Sequence, residues 1–181
     1  MRADAQRNRD RLIDAAVRAF AQGGPEVTLE SIAKDAGVGI GTLYRHFPTR
    51  EALVDAAYRT ELARLTDSAP ALLSTMEPDV ALRTWMDHFV AYMITKQGMG
   101  DTLKALIASG GSPFANSREL LLGALGQLVD ASVQADKIRS DIEVWDVLVS
   151  ISGIALAGFH EDHEQRGRLL DLLMDGLRYR P

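Results

Sequence analysis

The chain has 181 residues and a net charge of −5, long enough for one or two domains with a sizeable core. It contains no cysteine, which excludes a disulfide framework and thiolate chemistry. It has no apolar run of about eighteen residues, and its arginine-rich start MRADAQRNRDRL is unlike a signal peptide, so no membrane span and a cytoplasmic location are expected.

The charge is unevenly spread. Residues 1–60 carry nine Lys/Arg against eight Asp/Glu, whereas 61–181 carry eleven against seventeen. At the start, Arg2, Arg7, Arg9 and Arg11 outnumber Asp4 and Asp10, a local surplus suited to a phosphate backbone.

Residues 9 to 22 read as a first helix, with Leu12, Ile13, Ala16, Val17 and Phe20 on one face, and Gly23, Gly24 and Pro25 end it. A short helix follows from Thr28 to Ala36. Leu29, Ile32, Ala33 and Ala36 form its apolar stripe, Thr28 is a suitable N-cap, and Glu30 suits the positive end of the helix dipole. Gly37 takes the left-handed position that closes such a helix. A second short helix runs from Ile40 to about Phe47, where Pro48 stops it. Two short helices around a tight Gly-containing turn make a helix-turn-helix. The second buries Leu43 and Phe47 yet leaves Thr42, Tyr44, Arg45 and His46 as hydrogen-bonding groups elsewhere around its girth, the chemistry of a helix in a DNA groove.

A fourth helix starts after Pro48, capped by Thr49 with Glu51 in its first turn, and Leu53, Val54, Ala57, Tyr58, Leu62 and Leu65 keep its stripe. Pro70 and Pro78 mark Ser68 to Pro78 as the domain seam. Asp79 to Lys96 is helical, with Arg83 and Asp87 as an (i, i+4) ion pair off the stripe. Asp101 to Ser109 is a short helix, residues 110–113 a loop, and Ser117 to about Lys137 another helix. The last two helices, Glu143 to Phe159 and about Gln165 to Tyr179, are apolar beyond what one core needs. They are read as a dimerisation face, with Val144, Leu148, Ile151, Ala155, Leu169, Leu173 and Leu177 meeting a second copy in a four-helix bundle. No strand pattern appears, and the fold class is all-α with about nine helices.

The run AGVGIGTLYRHFPTREAL, from Ala36 to Leu53, together with the helix that opens at Thr28, resembles the DNA-binding signature of the tetracycline-repressor (TetR) family of bacterial regulators. The resemblance covers Arg9 to about Tyr58, and beyond that it is one of architecture and length. It implies a helix-turn-helix domain over residues 1–58 and a helical effector-binding and dimerisation domain over 59–181. It also implies phosphate-side contacts from Thr28, Tyr44, His46 and Arg50. Ile40, Gly41, Thr42 and Arg45 are the candidates near base edges. Gly39 departs from the family pattern, which often has serine at this turn, so a hydroxyl cap or phosphate contact is missing there.

Trp85, His88, Phe89, Tyr92, Met93, Met99, Leu103, Ile107, Phe114 and Leu121 are the candidate lining of an apolar effector cavity, with His88 and Tyr92 as its polar groups. The packed core of a bundle explains the same residues. The sequence HEDHE places His160 and His163 three apart, one short of the zincin spacing, and reads better as a solvated connection than as a metal site. No cofactor is expected. The function expected is that of a homodimeric, ligand-responsive repressor on a pseudo-palindromic double-stranded DNA operator, released by an unidentified small molecule, and not an enzyme. Two alternatives stand beside it: a constitutive or partner-controlled DNA-binding protein without a small-molecule pocket, and a helical metal-dependent enzyme using His160 and His163.

Overall fold

The computed structural model describes residues 2–157 and 163–178. Among them every regular element is a helix: α1 (Arg2–Gly23), a 3₁₀ turn (Gly24–Glu26), α2 (Leu29–Asp35), α3 (Ile40–His46), α4 (Arg50–Leu73), α5 (Pro78–Gly98), α6 (Gly100–Ala108), α7 (Ser117–Gln134), α8 (Val144–Leu156) and α9 (His163–Arg178). None of these helices is long and apolar enough to cross a membrane.

Two breaks differ from the sequence reading. The first helix starts at Arg2 rather than residue 9. The seam expected at Ser68 is helical, because α4 continues through Pro70 to Leu73. Its apolar stripe explains this: Leu62, Leu65, Ala69 and Leu72 stay buried across the proline, which itself lies on the exposed side. The missing N–H costs one helical bond close to the helix end, and burial of that stripe offsets it. The break is therefore short, and α5 opens on Pro78, where an absent N–H costs nothing.

The chain forms two compact units. The first joins Met1–Leu62 to Thr95–Ala115. The boundary expected at residue 58 thus falls inside α4, and α6 belongs to the same unit as the N-terminal helices. The core of this unit holds Leu12, Ala16 and Phe20 of α1, Ile32 and Ala33 of α2, Leu43 of α3, and Leu53, Val54, Ala57 and Tyr58 of α4. Met99 and Leu103 are buried as well, which is why α6 is part of it. Arg18 of α1 ties to Asp35 at the end of α2 at 2.7 Å.

The second unit comprises Ala63–Ile94 and Asn116–Pro181. Trp85 is wholly buried and donates its indole N–H to the Leu65 carbonyl at 3.0 Å, which satisfies its one polar atom. Leu82, Met86, Leu125, Leu128, Ile151, Leu170 and Met174 fill the core. Arg83 makes the expected pair with Asp87 at 2.6 Å and also reaches Asp171 of α9 at 2.8 Å. Asn116 and Asp136, which bracket α7, adopt φ of 64° and 58°, a left-handed conformation these short polar side chains tolerate.

Candidate nucleic-acid interface and an apolar groove

The turn between α2 and α3 is built by local chemistry. Thr28 Oγ1 accepts from the Ser31 N–H at 3.2 Å, and the Ser31 hydroxyl donates back to the Thr28 carbonyl at 2.8 Å. Together they close the start of α2. Gly37 ends α2 at φ +67°, a position where a side chain would be strained. Gly39 is the N-cap of α3, with φ −72° and ψ 149° and no side-chain cap. The Thr42 and Leu43 N–H groups donate to its carbonyl at 2.9 and 3.2 Å.

Leu43 and Phe47 anchor α3 in the core. The opposite side of α3 is outward: Gly41 and Arg45 are exposed, as are Ile40 (37%) and Tyr44 (46%), while Thr42 and His46 are half-buried. A Cβ added at Gly39 or Gly41 would meet nothing within 4 Å, so backbone is open to a partner at both positions. Arg45 lies along its own helix, donating to the Gly41 carbonyl at 3.1 Å and to Thr42 Oγ1 at 3.2 Å. It is held on the outward face with Thr42. Thr28 is exposed at the head of α2. Of the nine residues expected at DNA, seven thus sit on α3 or at its N-cap and Thr28 caps α2, six of these eight being exposed and Thr42 and His46 half-buried.

Arg50 is the exception. It is half-buried, its Nη1 donates to the Val27 carbonyl, and its Nε donates to Thr102 Oγ1 at 3.2 Å. Its guanidinium carbon sits 5.1 Å from the centre of the Phe20 ring. The side chain expected at a phosphate thus makes hydrogen bonds within its own unit. The reason is not visible in the motif, because Thr102 lies fifty-two residues downstream.

The candidate effector residues do not form one cluster. Trp85, Tyr92, Met99 and Leu103 are closed into cores, whereas His88 and Ile107 are exposed. Phe114 lies edge-on to Tyr58 at 5.2 Å, and the Lys96 ammonium sits 4.5 Å above its ring. Burial lowers the Lys96 pKa below the ordinary lysine value, and the ring face offers it a partner in return. Phe89, Met93 and Leu121 do line a cavity, an open groove of about 410 Å³ completed by Trp145, Leu148, Val149, Ser152, Gly153 and Leu156. No side chain on that list is titratable. Arg118 covers Trp145 from 4.0 Å.

The residues expected at a dimer face differ in their exposure. Leu148, Ile151, Ala155 and Leu177 are buried within their own unit, and Val144, Leu169 and Leu173 are half-buried. The exposed apolar side chains of the last two helices are instead Trp145, Val149, Leu156 and Leu172. A helix that is apolar nearly all round carries two candidate faces, and periodicity cannot say which one faces inward. The groove residues of α8 were visible in the sequence only as that surplus.

Of HEDHE, His160, Glu161 and Asp162 lie outside the described residues. His163 opens α9, with Nδ1 2.5 Å from Arg166 Nη2. Among the described residues no group of three or more His, Cys, Asp or Glu could hold a metal ion.

Comparison with known proteins places these features. Residues 12–57 match the family model described as bacterial regulatory proteins, tetR family, and residues 77–179 match the one described as transcriptional regulator SbtR-like, C-terminal domain. A solved TetR transcriptional regulator from Streptomyces coelicolor is 51% identical, covering 96% of this chain and 99% of that one with a TM-score of 0.89. A TetR transcription regulatory protein from Mycobacterium vanbaalenii is 32% identical over 98% of this chain and 99% of its own, with a TM-score of 0.78. The HTH-type transcriptional regulator UidR of Escherichia coli K12 is 34% identical over 95 residues, which span 52% of this chain and 43% of that protein.

Proposed function

Because the chain belongs to the TetR family of bacterial transcriptional regulators, a family of DNA-binding helix-turn-helix proteins, we propose that it is a ligand-responsive repressor binding a pseudo-palindromic operator as a homodimer. The observation that carries the reading is the outward face of α3: Ile40, Gly41, Tyr44 and Arg45 are exposed while Leu43 and Phe47 hold the helix from behind. Such a helix enters a major groove with its first residues at the base edges. Ile40 and the Thr42 methyl suit a thymine methyl, Arg45 suits guanine or a phosphate, and Thr28, Tyr44 and His46 suit the backbone.

Dimerisation is assigned to α8 and α9. Support comes from the exposed apolar side chain of Leu172 on α9, 66% exposed and outside the groove. A two-fold axis then sets the two reading helices about 34–36 Å apart, or a multiple of that spacing, on successive turns of the duplex. The effector is assigned to the apolar groove of the second unit, whose volume suits a small molecule. Ligand binding releases DNA if the bound state favours another arrangement, and a coupling of about 1–3 kcal/mol suffices. The protein acts in the cytoplasm, where its operator is.

Selection of bound sequences from random duplex DNA, followed by gel shift of the winner at two salt concentrations, tests this. An enriched inverted repeat is the expected outcome. Weak, salt-sensitive binding with no enriched sequence would overturn operator recognition.

A further inference from the structure

We infer that Arg50 is a positioning residue of the reading unit and not a phosphate contact: it clamps the Val27 carbonyl, and so the start of α2, onto Thr102 of α6. The inference rests on the proposal that the α2–α3 face reads DNA.

Three segments converge on one guanidinium. Phe20 of α1 offers a ring face at 5.1 Å, the link before α2 offers the Val27 carbonyl, and α6 offers the Thr102 hydroxyl at 3.2 Å. Val27 is extended, with φ −63° and ψ 128°, and lies between the 3₁₀ turn and α2, so no helix of its own satisfies its carbonyl. The next residue is Thr28, the cap that holds the Ser31 N–H. Fixing Val27 therefore fixes the direction from which the chain enters α2. A planar fork with donors on two edges can hold Val27 and Thr102 together, whereas an ammonium is a single point.

Two further features separate Arg50 from the phosphates. A polar recess of about 310 Å³ beside it is lined by Arg50, Glu51, Gly98, Asp101, Thr102 and Ala105, so two carboxylates share the open space near the guanidinium. Phosphate approaching by that route meets like charge. To swing outward instead, Arg50 must give up two hydrogen bonds and an aromatic face. The segment that leads into α6 is held as well, because the backbone of Gly98, the last residue of α5, packs directly on the Phe20 backbone.

The test uses the full chain and Thr102→Val, Arg50→Ala and Arg50→Lys. Thr102→Val is nearly isosteric and removes only the hydroxyl. Amide hydrogen exchange of the DNA-free protein over residues 28–32 should rise up to about tenfold in Thr102→Val, in step with the loss of one hydrogen bond, and at least as much in Arg50→Ala and Arg50→Lys, which lose the two-ended fork. Duplex affinity should fall with an unchanged slope of log K against log salt. A phosphate contact predicts otherwise: Arg50→Ala lowers the slope by about 0.9 per protomer, so about 1.8 for a homodimer, Arg50→Lys restores it, and Thr102→Val is silent. Unchanged exchange in Thr102→Val overturns the inference, as does a slope loss in Arg50→Ala rescued by lysine. If the unmodified protein binds no duplex, operator recognition fails while exchange still decides the clamp.

Discussion

Gly98 stands so close to Phe20 that a Cβ built on it would lie 2.0 Å from the Phe20 carbonyl oxygen and 2.8 Å from the carbonyl carbon. Both obstructing atoms are backbone, so no rotamer change relieves the contact. Gly98→Ala should therefore destabilise the protein by about 1–3 kcal/mol or more, as overpacking does. Gly100→Ala, two residues on at the first position of α6 with nothing within 4 Å, should be neutral or stabilising by up to about 1 kcal/mol. Denaturant unfolding of the pair checks the contact, and equal midpoints would show that α5 does not end against α1.

Gly39 caps α3 without a side chain, in a conformation open to any residue and facing empty space. Gly39→Ser should supply an acceptor to the Gly41 or Thr42 N–H and stabilise the protein by a few tenths of a kcal/mol, roughly the difference between serine and glycine at an N-cap. The hydroxyl also faces the surface assigned to DNA, so operator affinity should rise about two- to tenfold if it reaches a phosphate. Thermal melting and gel shift read the two effects separately. Higher stability with unchanged affinity would place position 39 away from the duplex.

The reading head was legible because its punctuation is local. Thr28, Gly37 and Pro48 each act on residues within one turn, and the structure keeps the expected cap and the left-handed glycine. Arg50 shows where locality ends, since its position in the motif suggests a phosphate while its partner Thr102 sits on another helix far along the chain. Pro70 misled for a related reason: a proline reads as a break, but continuous burial of Leu65, Ala69 and Leu72 carries α4 past it. In α8, Leu148 and Val149 are equally apolar neighbours, and only packing shows that the first is core and the second surface.

Asp79 in the first turn of α5 accepts from Arg178 in the last turn of α9 at 2.7 Å, and its side chain is 14% exposed. Burial alone would raise the Asp79 carboxyl pKa. The hydrogen bond and charge of Arg178, a backbone hydrogen bond and the charge of Lys137 outweigh it and hold the carboxyl below the ordinary carboxylate value. A depressed native pKa means the unfolded chain binds the proton more readily, so the stabilisation is present above the unfolded value of about 3.9 and is lost as pH falls through the native one. Arg178 is 44% exposed, which limits the effect to about 1 kcal/mol or less. Asp79→Asn should lower the melting temperature by about 2–4 °C near neutral pH, and the gap should close as the pH falls below the unfolded value of about 3.9 and through the native one. A gap independent of pH would show that the pair is not responsible.

Trp145 gives the apolar groove its own reporter. Its indole is 43% exposed, one face lies against Arg118, and it helps to line the cavity, whereas the other tryptophan, Trp85, is sealed in the core with its N–H satisfied. A neutral lipophilic probe such as N-phenyl-1-naphthylamine entering the groove should shift Trp145 emission to the blue, because it replaces water beside the ring. The shift should vanish in Trp145→Phe, and Val149→Asp should weaken probe binding, since a carboxylate in the apolar wall must be desolvated when the probe enters. Operator affinity of the probe-free Val149→Asp protein should stay unchanged if the groove serves the effector alone. If the probe leaves Trp145 unaffected while its emission changes on dilution of the protein, the groove is covered by the second protomer, and the effector assignment falls.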